Sequence, residues 1–166
     1  MRNVRIKVLI VVCMKLAAAL VTGCGKGNSG TAVSMFDLRT AMEEADDTLG
    51  EMMSADSSAE DAEDLFSYIS DMDYTKVDKF FVSYSKEGKA DEIAVIAVKD
   101  EADAADAEKS LKAHVQDRIN VFTQYAPDQV KKAEKAEIFT SGKYAVLIIC
   151  DKQADVKKAF TEFVSE

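Results

Sequence analysis

Two stretches of the chain are apolar on both faces of a strand, and they constrain the fold more than any other feature. Residues 92–98 read Glu-Ile-Ala-Val-Ile-Ala-Val, and residues 144–150 read Tyr-Ala-Val-Leu-Ile-Ile-Cys. A strand at the surface of a sheet alternates apolar and polar side chains, whereas a continuous apolar run is typical of a strand covered on both sides. We therefore expect both stretches at the centre of one sheet, with other elements packed on each face.

Each central stretch follows a second predicted strand across a short turn. Residues 80–85 lead into the first through Lys86-Glu87-Gly88-Lys89, and residues 137–140 lead into the second through Ser141-Gly142-Lys143. Strand patterns separated by a short glycine-containing turn are typical of antiparallel hairpins. The sequence thus predicts two hairpins.

An amphipathic helix is predicted after each hairpin. One runs from Asp100 towards Pro127 and the other from Lys152 to Val164, with apolar residues at helical spacing. Residues 94–100 also align without gaps on residues 145–151. This similarity indicates either an internal duplication or two similar strand-helix units. The second half of the chain is therefore interpreted as two strand-strand-helix units.

A helical segment is predicted over residues 34–77. Ser34 with Asp37 and Ser58 with Asp61 have the spacing of helix-capping boxes. Apolar residues then recur at steps of three and four, at Met35, Leu38, Met42, Ala45, Leu49 and Met52, and at Ala62, Leu65, Phe66, Ile69 and Met72. Such a methionine-rich stripe can bind a partner, but at helical spacing it is more typical of a core.

These elements predict a single α+β domain over residues 34–166, with a ββαββα core at 78–166. Placing the two apolar strands in the middle gives a four-stranded antiparallel sheet of order 1-2-4-3. We expect the two long helices on one face and the N-terminal helical segment on the other. In the alternative, the second face stays open and pairs with a second copy or another protein.

The first 23 residues have the composition of a signal peptide. Residues 1–7 are basic, residues 8–20 form an apolar core, and Val21-Thr22-Gly23 is a small-residue exit. Translation starting at Met14 instead of Met1 would leave a very short leader. Residues 24–33 are rich in glycine and predict a flexible tether.

The net negative charge of the chain argues against nucleic-acid binding. Residues 1–23 contain four basic residues and no acidic one, so the remainder carries 17 basic and 30 acidic residues, a net charge of −13. Nucleic-acid binding draws its affinity from phosphate neutralisation, and a surface this acidic repels both nucleic acid and anionic lipid. We expect no nucleic-acid partner.

The end of the leader resembles the lipobox of bacterial lipoproteins. Its motif is Val21-Thr22-Gly23-Cys24, and the resemblance implies cleavage between Gly23 and Cys24 and a diacylglyceryl group on the Cys24 thiol. Further features resemble a family of small Gram-positive lipoproteins built on a domain of unknown function. They are the tether, the acidic helical segment, Ala90-Asp91-Glu92-Ile93-Ala94-Val95, a long helix ending near Tyr125 and Pro127, and Gly142-Lys143-Tyr144. That resemblance implies no catalytic residue.

Few residues have the pattern of a chemical site. The sequence has one histidine, His114, and one cysteine downstream of Cys24, namely Cys150. It contains no nucleophile elbow, P-loop, dinucleotide fingerprint or zinc-protease motif. Residues 71–82 resemble a calcium loop but have Lys76 where glycine is needed and Val82 where glutamate is needed.

We therefore expect a lipid-anchored protein at the extracytoplasmic face of the cell membrane that serves as a non-catalytic binding or interaction module. The expected partner is an envelope protein or a second copy, and no catalytic residue, metal ligand or cofactor is predicted. One alternative is a hydrolase using a serine or Cys150, with His114 as a conceivable base for the thiol. Another is weak cation binding by the acidic groups at 43–47, 60–64 and 100–106.

Replacing Cys24 with alanine tests the anchor. Because two acyl chains hold a protein at a membrane where charge would not, Cys24→Ala should move the protein from the membrane fraction to the soluble or secreted fraction. Cys13→Ala, inside the leader, is the matched control and should leave fractionation unchanged. Membrane association of Cys24→Ala equal to that of the parent would contradict the lipobox interpretation.

Overall fold

The computed structural model describes residues 33–165. Its α-helices are α1 (Met35–Glu44), α2 (Ala62–Phe66), α3 (Ala104–Tyr125), α4 (Val130–Ala133) and α5 (Gln153–Ser165). Its strands are β1 (Met52–Asp56), β2 (Val77–Ser85), β3 (Glu92–Val98), β4 (Glu137–Ser141) and β5 (Tyr144–Ile149). No helix within these residues combines the length and the apolar character needed to cross a bilayer.

The α+β class and the central position of the two apolar strands are confirmed. The strands form one antiparallel sheet in the order β1-β2-β3-β5-β4. Every residue of β3 is buried, and Ala94 and Val95 pair with Leu147 and Val146 of β5. The two predicted hairpins are β2–β3 and β4–β5. Their turns contain Gly88 at φ 73° and Gly142 at φ 52°, a region that glycine enters without steric cost.

The predicted strand count and order are wrong, because the sheet has five strands where four were expected. Helix α1 ends at Glu44, and Met52, assigned to its apolar stripe, begins the additional strand β1. Gly50 lies between the two elements and disfavours a continuous helix. Strand β1 pairs with β2 from Met52↔Ser85 to Asp56↔Phe81 and so covers an edge that would otherwise be unpaired.

The predicted arrangement of helices is also wrong. Helices α2, α3 and α4 pack on one side of the sheet, here called the α3 face, against residues such as Phe80, Ile96 and Leu147. Helices α1 and α5 pack on the other side, the α5 face, against Phe81 and Val95 among others. The two long helices therefore lie on opposite faces.

The connections of the chain explain this arrangement. Helix α3 joins β3 to β4 and must cross β5 to do so, which fixes it on one face. Helix α5 follows β5, and within the described residues no later strand fixes the face of the sheet that it covers. The α5 face of β3 and β5 still requires cover, and α5 provides it together with α1. The N-terminal helical segment is thus divided between the two faces.

Asp46, just after α1, forms hydrogen bonds that connect this helix to the residues immediately before α5. Its carboxylate accepts hydrogen bonds from the main-chain N–H groups of Asp151 at 3.1 Å and Lys152 at 2.8 Å, and from Thr48. Burial alone would raise the pKa of Asp46. The hydrogen bonds from Thr48, from Lys152 and from the Cys150 thiol outweigh it and lower the pKa to about 2.

Asp46→Asn should therefore destabilise the fold in a pH-dependent way. A carboxyl whose pKa falls from 3.8 to about 2 on folding stabilises the native state by about 2 kcal/mol above pH 5, and this contribution disappears as the pH approaches 2. Urea unfolding at several pH values should show the gap between the parent and Asp46→Asn narrowing towards low pH.

Asp47→Asn is the matched control for this measurement. The Asp47 carboxylate is exposed and pairs with Lys152 at 2.6 Å, so its loss should change the free energy of unfolding by less than about 0.5 kcal/mol. A gap between the parent and Asp46→Asn that stays constant from pH 5 to pH 2 would contradict the assigned role of Asp46.

Candidate functional site

A cleft opens on the α3 face, above strands β1 and β2 and between helices α2 and α3. The inner region of the cleft has a volume of about 310 Å³, and the outer region has a volume of about 480 Å³. Tyr68, Tyr84, His114 and Arg118 line both regions. The inner volume is at the lower end of the range for small-ligand pockets.

Strand pleating supplies the floor of the cleft. Met53 pairs with Tyr84 and Ala55 pairs with Val82, and these four side chains point to the α3 face. Leu65, Tyr68 and Ile69 form one wall, at and just beyond the end of α2. Helix α3 forms the other wall with His114, Arg118, Val121 and Phe122.

A buried carboxylate lies at the inner end of the cleft. Glu92, the first residue of β3, is 1% exposed. Its Oε1 lies 2.7 Å from His114 Nε2, and its Oε2 lies 2.6 Å from Arg118 Nη1. His114 and Arg118 are four residues apart on α3, so both side chains project from the same side of the helix. The buried negative charge is thereby compensated.

Arg118 also fixes the turn between β2 and β3. Its Nη2 donates to the carbonyl oxygens of Lys89 at 3.3 Å and Ala90 at 3.4 Å, and the guanidinium lies 5.0 Å from the centre of the Phe122 ring. Its Nε is buried and has no hydrogen-bond partner. One N–H donor of the Arg118 guanidinium, the Nε–H, therefore lacks a hydrogen-bond acceptor.

A hydroxyl cluster holds the α2 wall against α3. Ser110 Oγ on α3 donates to Asp71 Oδ1 at 2.8 Å and lies 2.7 Å from Ser70 Oγ. Both serines are buried, so these bonds satisfy groups that would be costly to leave unpaired. The segment that carries Tyr68 and Ile69 is fixed by these contacts.

The rim of the cleft is unusually apolar for an exposed surface. Within residues 33–165 five large hydrophobic side chains are exposed, and three of them, Met53 at 47%, Tyr68 at 77% and Val121 at 54%, line the cleft. Tyr125, 81% exposed, follows Val121 by one helical turn. Phe36 on α1 is the fifth. Exposed apolar side chains grouped around a concave surface are typical of an interaction site.

The sequence indicated this site incompletely. His114, the one histidine of the sequence, lies near Arg118 at the edge of the core. The sequence pattern predicts no site role for Glu92. The available signal was a carboxylate at the first position of a strand that is otherwise entirely apolar, which requires a buried partner.

Cys150 and His114 are not brought together. Cys150 packs in the core of the α5 face, whereas His114 lies on α3 on the opposite side of the sheet. Burial and the neighbouring Asp46 carboxylate raise the pKa of the Cys150 thiol to about 12. A thiol in this state is protonated at neutral pH and is a poor nucleophile.

The acidic groups at 43–47 and 100–106 contribute caps and ion pairs, whereas Glu60, Asp61, Glu63 and Asp64 are exposed. Asp100 accepts from the Ala102 N–H at 3.0 Å at the start of a short 3-10 turn, and Asp73 accepts from the Thr75 N–H at 2.9 Å. Within the described residues, no three His, Cys, Asp or Glu side chains are placed to hold a metal ion. Gly23 and Cys24, the predicted cleavage and lipidation residues, lie outside the described residues, as does the tether.

The fold and cleft define a small α+β domain whose candidate site lies between one long helix and the edge of an antiparallel sheet. The family described as Domain of unknown function (DUF4358) matches residues 40–150, and the chain belongs to this family. The matched region contains all five strands and every residue of the cleft. Comparisons with curated proteins and with solved structures gave no match.

Glu92→Ala tests the role of the buried ion pair. Removing the carboxylate leaves Arg118 and His114 without their partner, and breaking a buried pair costs about 3 kcal/mol of unfolding free energy. Glu162→Ala removes an exposed helical ion pair to Lys158 and should cost less than about 0.5 kcal/mol. Equal urea-unfolding midpoints for the two variants would show that Glu92 does not support the cleft.

Proposed function

We propose that this protein is a lipoprotein anchored through Cys24 at the extracytoplasmic face of the cell membrane, and that its domain is a non-catalytic module binding an envelope protein through the cleft. The sequence Val21-Thr22-Gly23-Cys24 and the basic and apolar leader support the anchor and, by resemblance, a Gram-positive origin. The net charge of −13 after residue 23 favours a lipid over a basic surface as the means of attachment.

The observation that carries the binding role is the apolar rim. Met53, Tyr68 and Val121 are exposed around one concave surface, and Tyr125 extends the same side of α3. Aromatic and other large apolar side chains placed around a pocket often dominate the binding energy of protein interfaces. Water contact at these side chains is unfavourable, and a protein partner would remove it.

A protein partner fits the cleft better than a small ligand does. The inner region holds only about 310 Å³, while the exposed apolar residues Met53 and Val121 line only the outer region. A small molecule in the inner region would leave these side chains in water. A protein that inserts one side chain and covers the rim would bury both.

Catalysis by Cys150 is not favoured by this geometry. The thiol pKa of about 12 and the position of His114 on the opposite face leave the nucleophile without a base. Glu92 is held by His114 and Arg118, at 2.7 Å and 2.6 Å, in an arrangement typical of structural charge compensation. A hydrolase that uses Cys150 with His114 therefore has no support in this arrangement.

Site-specific photo-crosslinking in native membranes tests the binding role. A photoreactive phenylalanine analogue at position 68 or 121 should give the same discrete adduct in each case, since both residues lie on the rim. The adduct would be identified by mass spectrometry. Position 36 is the matched control, because Phe36 is 60% exposed but lies on α1 of the opposite face.

Two results would contradict the proposal. One is the same adduct from position 36 as from 68 and 121, which would indicate contact without a defined surface. The other is the absence of any adduct from positions 68 and 121 while the protein is fully anchored. A discrete adduct at both rim positions and none at position 36 is the expected result.

A further inference from the structure

Strand β1 is an edge strand without the usual protection against further pairing. Edge strands commonly carry lysine, proline or a bulge. Residues 52–56 read Met-Met-Ser-Ala-Asp, and their register with β2 is continuous. Strand β1 thus contains neither lysine nor proline, and its pairing with β2 has no bulge.

The main-chain hydrogen bonds show which groups of β1 face outwards. Glu51 accepts from the Lys86 N–H at 3.0 Å, and Ser57 donates to the Phe80 carbonyl at 3.1 Å. In an antiparallel pair such bonds recur at every second residue, so Met53 and Ala55 bond to β2. Met52 and Ser54 consequently direct their N–H and C=O groups away from the sheet.

The same strand contributes to the cleft floor. Met53 and Ala55 point to the α3 face, where they lie beside Tyr84 and Val82. A peptide paired with β1 would present every second side chain to this face. One of these side chains would lie next to Met53 at the mouth of the cleft, where an apolar group could enter.

The negative charge of residues 51–64 favours a basic peptide over an acidic one. Residues 51–64 contain six acidic residues and no basic one. Lys86 pairs with Glu51 at 2.6 Å, while Glu60, Asp61, Glu63 and Asp64, in the segment that follows β1, are exposed. A basic segment would be attracted to this surface, whereas a second copy of the chain would bring six further acidic residues.

We propose that the partner binds as an extended basic segment that pairs with the free edge of β1 and inserts a large apolar side chain into the cleft. Main-chain pairing would supply affinity, the acidic residues 51–64 would select lysine and arginine, and the cleft would select the apolar residue. The proposal rests on the proposed function of the cleft and adds the form and charge of its partner.

Selection from random octapeptides tests the proposal. The full chain in neutral-lipid nanodiscs would be the bait, with empty nanodiscs for counter-selection. Enriched sequences should combine lysine or arginine with a large apolar residue. Raising the salt concentration from about 50 to about 500 mM should weaken binding of a synthetic consensus peptide about ten-fold, because the acidic surface is exposed. Enrichment of acidic sequences, or of none, would overturn the proposal.

Two further comparisons isolate strand pairing. Ser54→Pro removes an outward N–H at a position where an edge strand tolerates proline, and it should abolish binding of the consensus peptide. Ser54→Ala loses the same hydroxyl, which accepts a hydrogen bond from Arg39, but keeps the N–H and should bind like the parent. A consensus peptide N-methylated at alternate residues should also fail to bind, which tests pairing without altering the protein.

Equal binding of the peptide to the parent and to Ser54→Pro would overturn strand pairing, as would undiminished binding of the N-methylated peptide. A discrete adduct from positions 68 and 121 in native membranes, together with either of these results, would leave the proposed function standing and this inference rejected. If neither the crosslinking experiment nor the peptide-binding experiment gives its expected result, the cleft is rejected as the binding site.

Discussion

The structure depends on burying β3 and β5 from both sides. Every residue of β3 is buried, and β5 is buried from Ala145 to Ile149. Full burial of a leucine or isoleucine side chain contributes ~1.5–3 kcal/mol, so exposing either face of these strands would cost much of the stability of a small domain. The chain must therefore provide a helical layer on each side of the sheet, and it does so with α3 on one face and α1 with α5 on the other.

The cleft follows from how the α3 layer is built. Helix α3 crosses from β3 to β4 and covers that half of the sheet, while the five-residue helix α2 covers β1 and β2 incompletely. A gap remains between the two helices above Val82 and Tyr84. Glu92 lies at the inner end of this gap, where His114 and Arg118 reach it from α3. The ion pair between Glu92 and Arg118 joins β3 to α3 in the part of the sheet that α2 leaves uncovered.

The sequence predicted the central half of the fold well. Both doubly apolar strands, both hairpins and the helices that follow them could be predicted because periodicity and turn glycines are local signals. Strand β1 could not, since its residues continue a helical stripe and only pairing with β2 makes them a strand. The face on which α5 lies could not be predicted either. That face depends on which side of the sheet α3 already covers, and this is a property of the tertiary fold that the local sequence does not contain.

The candidate site was less predictable than the fold, for the same reason. His114 and Arg118 are close in sequence, and their spacing shows that they share a side of a helix. Their relation to Glu92, 22 residues away from His114, depends on how α3 packs on the sheet. The grouping of Met53, Tyr68 and Val121 arises from three separate elements, and no local pattern connects them.

Hydrogen exchange in native membrane vesicles tests the central claim most directly, that the cleft on the α3 face is the surface that a partner covers. Exchange of the full chain there would be compared with exchange of the same protein in nanodiscs without other proteins. Slower exchange in the vesicles at residues 52–57 and 66–70, with α1 unchanged, is the predicted result. Unchanged exchange around the cleft, or protection confined to residues 35–44, would contradict the account.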